Sequence, residues 1–290
     1  MKWGKHYLFK THQMSLSKKY MKRLWFAMYA VSFTLLFSSC SSSGPKLVWS
    51  DEFDEEALDL EKWTAIIGDG CPELCGFGNS ELQYYTNNPQ NVKIEDGKLI
   101  ITAIHDSIEN SAYSSAKLVT KNKGDWQYGR FEIKAKIPAG KGNWPAIWML
   151  PTEKKYGGWP RSGEIDIMET VGYDPGNVHG TVHTQSFNHM IGTQKGDSVL
   201  VNDFSESFHL YAVEWHADRI DFFIDSNKYH TFENTELNSD DWPFDHPFYL
   251  ILNIAVGGSW GGKYGIANDI FPNRMEIDYV RVYELVDFYK

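Results

Sequence analysis

Short runs of alternating or continuous apolar residues recur along most of this chain, and turn residues separate them. Gly, Pro, Asn and Asp supply the breaks, as at Pro138-Ala139-Gly140 and Asp174-Pro175-Gly176, while helical periodicity is scarce. Many short strands with turn signals between them are typical of a β-sandwich. We therefore predict an all-β fold of two antiparallel sheets. The predicted strands cover residues 98–104, 129–137, 146–150, 164–169, 178–183, 209–215, 221–224, 248–256 and 275–283.

The length and composition of the chain fit one large domain. Its 290 residues, of which 42% are hydrophobic, suffice for a full-sized core, and an all-β domain of this length can be one unit. No internal repeat or low-complexity linker follows residue 45, so residues 46–288 are predicted to form a single domain. The 11 Trp and 16 Tyr exceed what packing usually needs.

The charge of the chain disfavours one class of partner. The formal net charge is −10, but the first 39 residues carry seven Lys or Arg and no acid, which leaves 21 basic and 38 acidic residues beyond them. Nucleic-acid binding depends on neutralising phosphates with Lys and Arg, so nucleic acid is not a predicted partner. An uncharged polymer is easier to reconcile with this acidic chain.

The amino-terminal segment has the pattern of an export signal. Basic residues at positions 18, 19, 22 and 23 precede the apolar stretch 24–37, which is too short to span a bilayer comfortably. Ser38-Ser39-Cys40 then resembles a bacterial lipobox, so we predict a signal peptide over residues 1–39, with Met21 as an alternative start. Residues 40–45 would comprise a lipidated Cys40 and a short tether. The expected location is that of an exported, outer-membrane-associated lipoprotein, and ordinary secretory cleavage is the alternative.

Two further cysteines, Cys71 and Cys75, lie four residues apart. In an exported protein a small disulfide loop is the favoured interpretation, and a pair of unbridged thiols is the alternative. Two cysteines without a nearby His do not favour a metal site. A loop this short adds little to global stability, so its predicted role is to shape the local backbone.

Three carboxylates lie within six residues, at Glu164, Asp166 and Glu169. In a regular strand the first two share a face and Glu169 points away, but a β-bulge near Met168 would return Glu169 to the acidic face. Acids on one face repel each other, so their pKa values must spread. Retaining hydrolysis of a glycosidic bond requires such a nucleophile and acid, about 5–5.5 Å apart.

Two other interpretations of the triplet stay open at this point. Acids on the outer face of an edge strand are commonly just solvated, and carboxylate oxygens also suit calcium or magnesium. The apolar runs around the triplet and the many tryptophans favour catalysis.

Tryptophans near the triplet are candidate sugar-binding residues, because an indole can stack on the C–H face of a sugar ring. Trp144 and Trp148 share a face of one predicted strand, and core packing is the alternative for each. Trp159 follows two glycines and Trp260 lies among glycines, which favours exposure and close approach of a ligand. Three other tryptophans, Trp63, Trp215 and Trp242, are predicted to be structural.

His183 lies in the predicted strand that follows the triplet. An adjacent strand could bring its imidazole beside the carboxylates, which predicts contact with the site. A purely hydrogen-bonded, structural histidine is the alternative.

Several motifs together resemble glycoside hydrolase family 16, and within it the bacterial laminarinases, which are endo-β-1,3-glucanases. The resemblance covers nearly all of residues 46–288. The matching segments are residues 49–53, 79–86, 128–132, 144–149, 163–169, 180–183 and 277–283. The family implies a jelly-roll sandwich with a substrate cleft on its concave face, and retention of anomeric configuration.

The resemblance also implies roles for individual residues. Glu164 would be the nucleophile, Glu169 the general acid/base, and Asp166 would orient Glu164 and tune protonation. Substrate contacts are implied for Asn79, Glu81, Arg130, Trp144, Trp148, Trp159, His183 and Trp260. A structural calcium is implied at Glu52, the backbone of Gly97, and Asp278, with water completing the shell.

These observations predict a monomeric endo-β-1,3-glucanase that acts on laminarin-like glucan and needs no cofactor for catalysis. Its partners would be the polysaccharide and, through the lipid anchor, a membrane. Mixed-linkage β-1,3-1,4-glucan, a galactan such as agar, and transglycosylation are alternatives with the same machinery. A non-catalytic glucan-binding lipoprotein is the alternative from another class, but it would be marked by a lost carboxylate, and none is lost here.

Overall fold

The computed structural model of the protein describes residues 45–235 and 238–285. The predicted signal peptide, Cys40 and most of the tether lie outside the described residues, as do residues 286–288 of the predicted domain. Within the described ranges, no helix is both long enough and apolar enough to cross a lipid bilayer.

The described residues form 18 strands and two short 3₁₀ segments, Cys75–Gly78 and Asn268–Ile270. The strands are β1 Lys46–Asp51, β2 Thr64–Ile66, β3 Gln83–Tyr85, β4 Val92–Ile94, β5 Leu99–Ile108, β6 Ser111–Ser115, β7 Lys117–Val119, β8 Asp125–Trp126, β9 Gly129–Lys136, β10 Asn143–Pro151, β11 Glu164–Glu169, β12 Asn177–His183, β13 Lys195–Leu200, β14 His209–Trp215, β15 Arg219–Ile224, β16 Asn227–Glu233, β17 Phe248–Val256 and β18 Asn273–Glu284.

The strands pair into two sheets. The back sheet has ten strands in the order β16-β15-β14-β9-β18-β5-β6-β3, with β1 on β18 and β4 on β5. The cleft sheet has eight, in the order β13-β12-β11-β10-β17-β7-β2, with β8 on β17. All pairs are antiparallel except β3 with β6. The predicted all-β jelly-roll sandwich is confirmed, with this one parallel pair as an addition.

The hydrophobic core lies between the two sheets, because alternate residues of each strand point inward. On the back sheet Phe131 and Trp215 are fully buried, and on the cleft sheet Ile147, Ile165 and Leu252 are fully buried. Burying each such aliphatic or aromatic side chain contributes about 1.5–3 kcal/mol. The other face of the cleft sheet is therefore free to carry polar and aromatic side chains.

Nine of the 18 strands correspond to the predicted segments, and β11, β14 and β17 begin and end where predicted. The nine unpredicted strands are short or lie at the sheet edges, where half-exposed side chains weaken the apolar pattern. An example is β13, whose first three residues are Lys195, Gly196 and Asp197, all exposed. Trp63, Trp215 and Trp242 are buried in the core, as predicted.

A β-bulge in β11 gives the acidic triplet its common face. Along the pairing with β10, Asp166 faces Trp148 and Met168 faces Ile147, so Ile167 is the extra residue. Ile167 and Met168 are both buried in the core. The extra residue returns Glu169 to the side that carries Glu164 and Asp166, which confirms the predicted bulge.

We expect Trp215→Ala to lower the free energy of unfolding by about 3–5 kcal/mol, because it leaves a large cavity in the core. Trp215 is fully buried and stands between Phe131 and Phe248. Denaturant titration of purified protein measures the change. The control is Leu60→Ala, whose side chain is 67% exposed and should change stability by less than about 0.5 kcal/mol. Equal stabilities of the two variants would contradict this assignment of the core.

Candidate active site

A cleft of about 920 Å³ runs over the outer face of the cleft sheet. Its floor is made by outward-pointing residues of β7, β10, β11, β12 and β17. The loops that contain Trp159, His189 and Trp260 form parts of its walls. All three acids of the triplet line this cleft.

Each glutamate of the triplet accepts a hydrogen bond from a tryptophan of the cleft. Trp159 donates from Nε1 to Oε2 of Glu164 over 2.9 Å. Trp144 donates from Nε1 to Oε1 of Glu169, also over 2.9 Å. These indole donors fix the two carboxylates at opposite ends of the strand segment. Asp166 lies between them and is only 2% exposed.

Burial is the main influence on the acid–base properties of the triplet. It raises the pKa of Glu164 well above its usual value, and it raises the pKa values of Asp166 and Glu169 to about 8. The negative charge of Asp166 raises the pKa of both glutamates further. Indole N–H groups and His183 act in the opposite sense on the pKa of each glutamate. The cluster therefore retains protons at neutral pH that solvated acids would lose.

The predicted neighbour His183 lies beside the acids, because β12 pairs with β11 and sets Glu164 opposite His183. Its Nε2 is 3.3 Å from Oδ2 of Asp166 and 3.8 Å from Oε1 of Glu164. The His183 ring also contacts the ring of His189 at 5.1 Å, and Trp159 stands 5.0 Å from His189. Burial and the nearby His183 lower the pKa of His189, which favours its neutral form.

The Glu169 end of the cleft is also aromatic. Trp260 packs edge-on against Trp144 at 5.5 Å and against His179 at 5.2 Å. The loop that carries Trp260 is tied to the neighbouring segment around Asn79, since Ser259 donates its backbone N–H to the carbonyl of Asn79. Aromatic faces at both ends of the acid pair suit the C–H faces of sugar rings.

Seven of the eight predicted substrate contacts line the cleft, namely Asn79, Glu81, Trp144, Trp148, Trp159, His183 and Trp260. The prediction for Arg130 is wrong. Arg130 lies on β9 of the back sheet, where it pairs with Glu132 at 2.6 Å and Glu214 at 2.8 Å. Phe131 points into the core, so alternation turns Arg130 to the outer face of the back sheet, away from the cleft.

The implied calcium ligands do not fit that ion as the structure places them. Both carboxylate oxygens of Glu52 accept hydrogen bonds from the guanidinium of Arg281, at 3.0 and 2.8 Å. Oδ2 of Asp278 is 2.9 Å from the ammonium of Lys134. Calcium takes 6–8 oxygen ligands, and a basic side chain already neutralises each of these two carboxylates.

The structure joins Cys71 and Cys75 in a disulfide. Leu74, inside this small loop, and Phe77, just after it, both line the cleft. The loop therefore shapes one rim of the cleft, which is the local role predicted for it.

Several further residues line the cleft that the sequence did not predict, among them Lys117, His189, Tyr249 and Asn253. Asn253 accepts a hydrogen bond from Nε1 of Trp148 over 2.7 Å and donates to the hydroxyl of Tyr85. Asn253 is a polar residue within the apolar run 248–256, and this position could have indicated a site residue, because a buried amide needs hydrogen-bond partners. Lys117 carried no such signal, since β7 has only three residues.

A sandwich with paired, protonatable carboxylates in an aromatic cleft is the arrangement of a glycoside hydrolase. Residues 79–281 match the model of glycosyl hydrolases family 16. A beta-glucanase of Rhodothermus marinus is 48% identical over 282 residues, which cover 93% of this chain and 97% of that protein. The chain therefore belongs to glycosyl hydrolase family 16, and it is an enzyme of the glycosidase class.

Solved structures agree with this assignment. The laminarinase from Rhodothermus marinus superposes with a TM-score of 0.80 at 49% identity, covering 84% of this chain and 99% of that one. A family 16 non-specific endo-β-1,3(4)-glucanase, co-crystallised with 1,3-β-D-cellotriosyl-glucose, has a TM-score of 0.79 at 46% identity and covers 84% of this chain and 96% of that one. Family 16 glycosidases need no cofactor for catalysis, so the divalent-metal interpretation of the triplet is set aside.

Proposed function

We propose that this enzyme hydrolyses β-1,3-glucan of the laminarin type at internal bonds, with retention of anomeric configuration. The observation that carries the proposal is the triplet Glu164, Asp166 and Glu169 on one face of β11, at the floor of an aromatic cleft. The laminarinase with a TM-score of 0.80 and the glucanase co-crystallised with a β-1,3-linked oligosaccharide support β-glucan as the substrate class.

In the first step, the carboxylate of Glu164 attacks the anomeric carbon and forms a glycosyl ester as the glycosidic C–O bond breaks. The leaving oxygen takes the proton of Glu169. The raised pKa of Glu169, about 8, keeps that proton available at neutral pH. Trp159 favours the ionised form of Glu164, which the attack requires.

In the second step, Glu169 as a carboxylate removes a proton from water, and the water oxygen attacks the anomeric carbon. The bond to Glu164 breaks and its carboxylate is restored, so the sugar leaves with its original configuration. Asp166 lies next to both glutamates. It would hold a proton near Glu164 and would orient the Glu164 carboxylate. His183 is placed to contact both Asp166 and Glu164.

Reducing-sugar release from laminarin tests the proposed activity, with mixed-linkage β-1,3-1,4-glucan and agarose alongside. We expect release from laminarin as oligosaccharides of several lengths, since an open cleft accepts internal bonds. Release from both laminarin and mixed-linkage glucan would match the non-specific endo-β-1,3(4)-glucanase neighbour, whereas release from mixed-linkage glucan alone would support that alternative instead. Analysis for products longer than the starting oligosaccharide tests transglycosylation. No release from any polymer by the folded protein would overturn the proposal.

We expect Trp159→Phe to lower kcat/KM about tenfold, which corresponds to about 1.4 kcal/mol of transition-state stabilisation. The variant keeps an aromatic ring but removes the N–H that donates to Glu164. Because this hydrogen bond lowers the pKa of Glu164, its loss should move the acidic limb of the kcat/KM profile to higher pH. Trp49→Phe on the back sheet is the control. An unmoved acidic limb would contradict the assigned role of Trp159.

We also propose that the protein is exported and held at the outer membrane by a lipid on Cys40, and that it acts as a monomer. Export and anchoring are proposed from the amino-terminal sequence, in which basic residues, an apolar stretch and Ser38-Ser39-Cys40 follow one another. Labelling with a fatty-acid analogue in a bacterial host, with Cys40→Ala as the comparison, tests the anchor. Label on the Cys40→Ala protein, or none on the parent protein, would contradict it. Sedimentation of the purified protein tests the monomeric state.

A further inference from the structure

Lys117 places a positive charge inside the cleft. Its side chain projects from β7, which is held between β2 and β17, and it lines the cavity. The ammonium Nζ lies 4.7 Å from the centroid of the Phe77 ring, 4.8 Å from that of Trp148 and 5.9 Å from that of Tyr85. Three aromatic side chains therefore surround this cation.

The hydrogen-bonding capacity of Lys117 is unused within the described part of the chain. An ammonium has three N–H donors, whereas the faces of aromatic rings offer only a weak, non-directional attraction. No carboxylate oxygen of residues 45–235 and 238–285 lies within 4.0 Å of Nζ, and no hydrogen bond from Nζ to these residues is formed. Lys117 is half-buried and lines the open cleft, so its N–H donors are available to a polar ligand that enters there.

Glu81 is the negative charge that acts most strongly on Lys117, but its carboxylate is itself hydrogen-bonded within the protein. Its Oε2 accepts hydrogen bonds from Gln83 over 2.7 Å and from the Tyr85 hydroxyl over 3.4 Å, and its Oε1 accepts one from Asn79. Burial lowers the pKa of Lys117, and the charges of Glu81 and Glu164 oppose that change. Glu81 is therefore placed to keep the Lys117 ammonium charged.

The surroundings of Trp148 support the same assignment. Lys117 lies over one face of the Trp148 ring, and Asn253 accepts a hydrogen bond from Nε1 of Trp148, so that face and that N–H are already engaged within the protein. Trp148 positions Lys117, in contrast to Trp159, which is 42% exposed at the cleft wall.

We propose that Lys117 is a specificity-determining residue, which donates from Nζ to a free hydroxyl of a glucose unit bound in the cleft, and that Glu81 positions its ammonium. The inference deepens the proposed function and rests on it. A glucan that lacks this hydroxyl, through substitution or branching there, would leave the cation unsatisfied and bind poorly. Lys117 thus selects for an unmodified sugar at its subsite.

The test compares Lys117→Met, Lys117→Arg and a control, Lys46→Met, on laminarin. Lys46 lies on the back sheet with a side chain that is 74% exposed. Loss of a hydrogen bond from a charged donor predicts a rise in KM of about 10- to 100-fold for Lys117→Met, with kcat changed less than about threefold. Lys117→Arg retains donors and a charge, so its KM should lie within about fivefold of the parent value.

A double variant tells whether Glu81 positions Lys117 or contacts the sugar itself. Glu81→Gln alone should raise KM, whereas in the presence of Lys117→Met it should add less than about twofold, because the two residues act through one contact. Additive effects would overturn the role given to Glu81.

A parent-like KM for folded Lys117→Met, with an active parent enzyme, would overturn the role given to Lys117 while leaving the proposed function intact. Circular dichroism establishes folding of each variant. If Lys117→Met does not fold, Lys117→Gln takes its place and the same comparison decides. An inactive parent enzyme would instead count against the proposed function itself.

Discussion

Replacing Glu164 with alanine is expected to reduce kcat/KM for laminarin by about 10³-fold or more, because the covalent intermediate can no longer form. Replacing Glu169 with alanine should cost about 10²–10⁴-fold, the usual contribution of a general acid/base. Both residues line the cleft and both have raised pKa values, so a loss of activity alone does not tell the roles apart. The stereochemistry of a rescued reaction does.

Azide distinguishes a missing nucleophile from a missing acid/base. On an activated aryl β-glycoside, Glu164→Ala leaves a space beneath the anomeric carbon, and azide entering there should give the α-glycosyl azide. With Glu169→Ala, the glycosyl ester on Glu164 still forms, because the aryl leaving group needs no proton. Azide then attacks that ester from the opposite face and should give the β-glycosyl azide. Proton magnetic resonance of the products reads the anomeric configuration directly.

The control for both variants is Glu233→Ala, at the exposed end of β16 on the back sheet, which should keep parent activity. A β-azide from Glu164→Ala together with an α-azide from Glu169→Ala would reverse the two roles. Full activity of either variant would exclude that residue from the chemistry.

The second large effect is on stability, and it concerns Asp166. We expect Asp166→Asn to be more stable than the parent at pH 8 by about 2 kcal/mol or more, since each pKa unit corresponds to about 1.4 kcal/mol. Burial raises the pKa of Asp166 from 3.8 to about 8, which means that the folded protein disfavours its ionised form. The amide keeps the shape of the side chain without the charge.

The sign of the pH dependence follows from proton binding. Between pH 4 and pH 8 the folded state holds a proton on Asp166 that the unfolded state has released. Unfolding therefore becomes easier as pH rises, and the stabilisation present below about pH 4 is lost by about pH 8. Glu169, with a pKa also raised to about 8, contributes in the same direction. Asn has no carboxyl group to titrate, so the stability of Asp166→Asn should fall less steeply as pH rises than that of the parent protein.

Denaturant titrations from pH 4 to pH 9 measure this difference. Asp218→Asn serves as the control, because the Asp218 side chain is 74% exposed. Loss of its charge should leave the dependence of the unfolding free energy on pH unchanged. Parallel stability curves for the parent and Asp166→Asn would show that Asp166 is not a buried, protonated acid in the folded enzyme. The same variant should also lose activity, since Glu164 loses the neighbouring carboxyl group that holds a proton beside it.

Local pattern predicted much of the site because the chemistry is concentrated on one strand. The segment Glu164–Glu169 begins and ends where predicted, and its bulge follows from three acids at positions that a regular strand cannot bring to one face. His183 could be anticipated because β12 follows β11 after a short loop and pairs with it. Strands that follow each other in the chain usually pair with each other, so contacts between them are the ones that sequence order predicts best.

Other predictions depended on contacts between distant parts of the chain. Arg130 has the alternation of a strand residue, but alternation does not tell which sheet a strand joins or which face is concave. The calcium ligands matched in sequence, yet Arg281 and Lys134 neutralise their carboxylates in the structure. Lys117 is unremarkable in the sequence and becomes a cleft residue only because β7 pairs with β17.

The sequence by itself determined the class of fold, the acidic strand and the family, because period-2 alternation, turn residues and the six-residue triplet are local properties. Only the tertiary structure decided which side chains share the cleft. Pairing of β10 with β17 joins segments about a hundred residues apart and aligns Trp148 with Asn253 through one hydrogen bond. The same packing aims Trp144 and Trp159 at different glutamates. Such contacts depend on the summed packing of two sheets, and no short stretch of sequence carries that information.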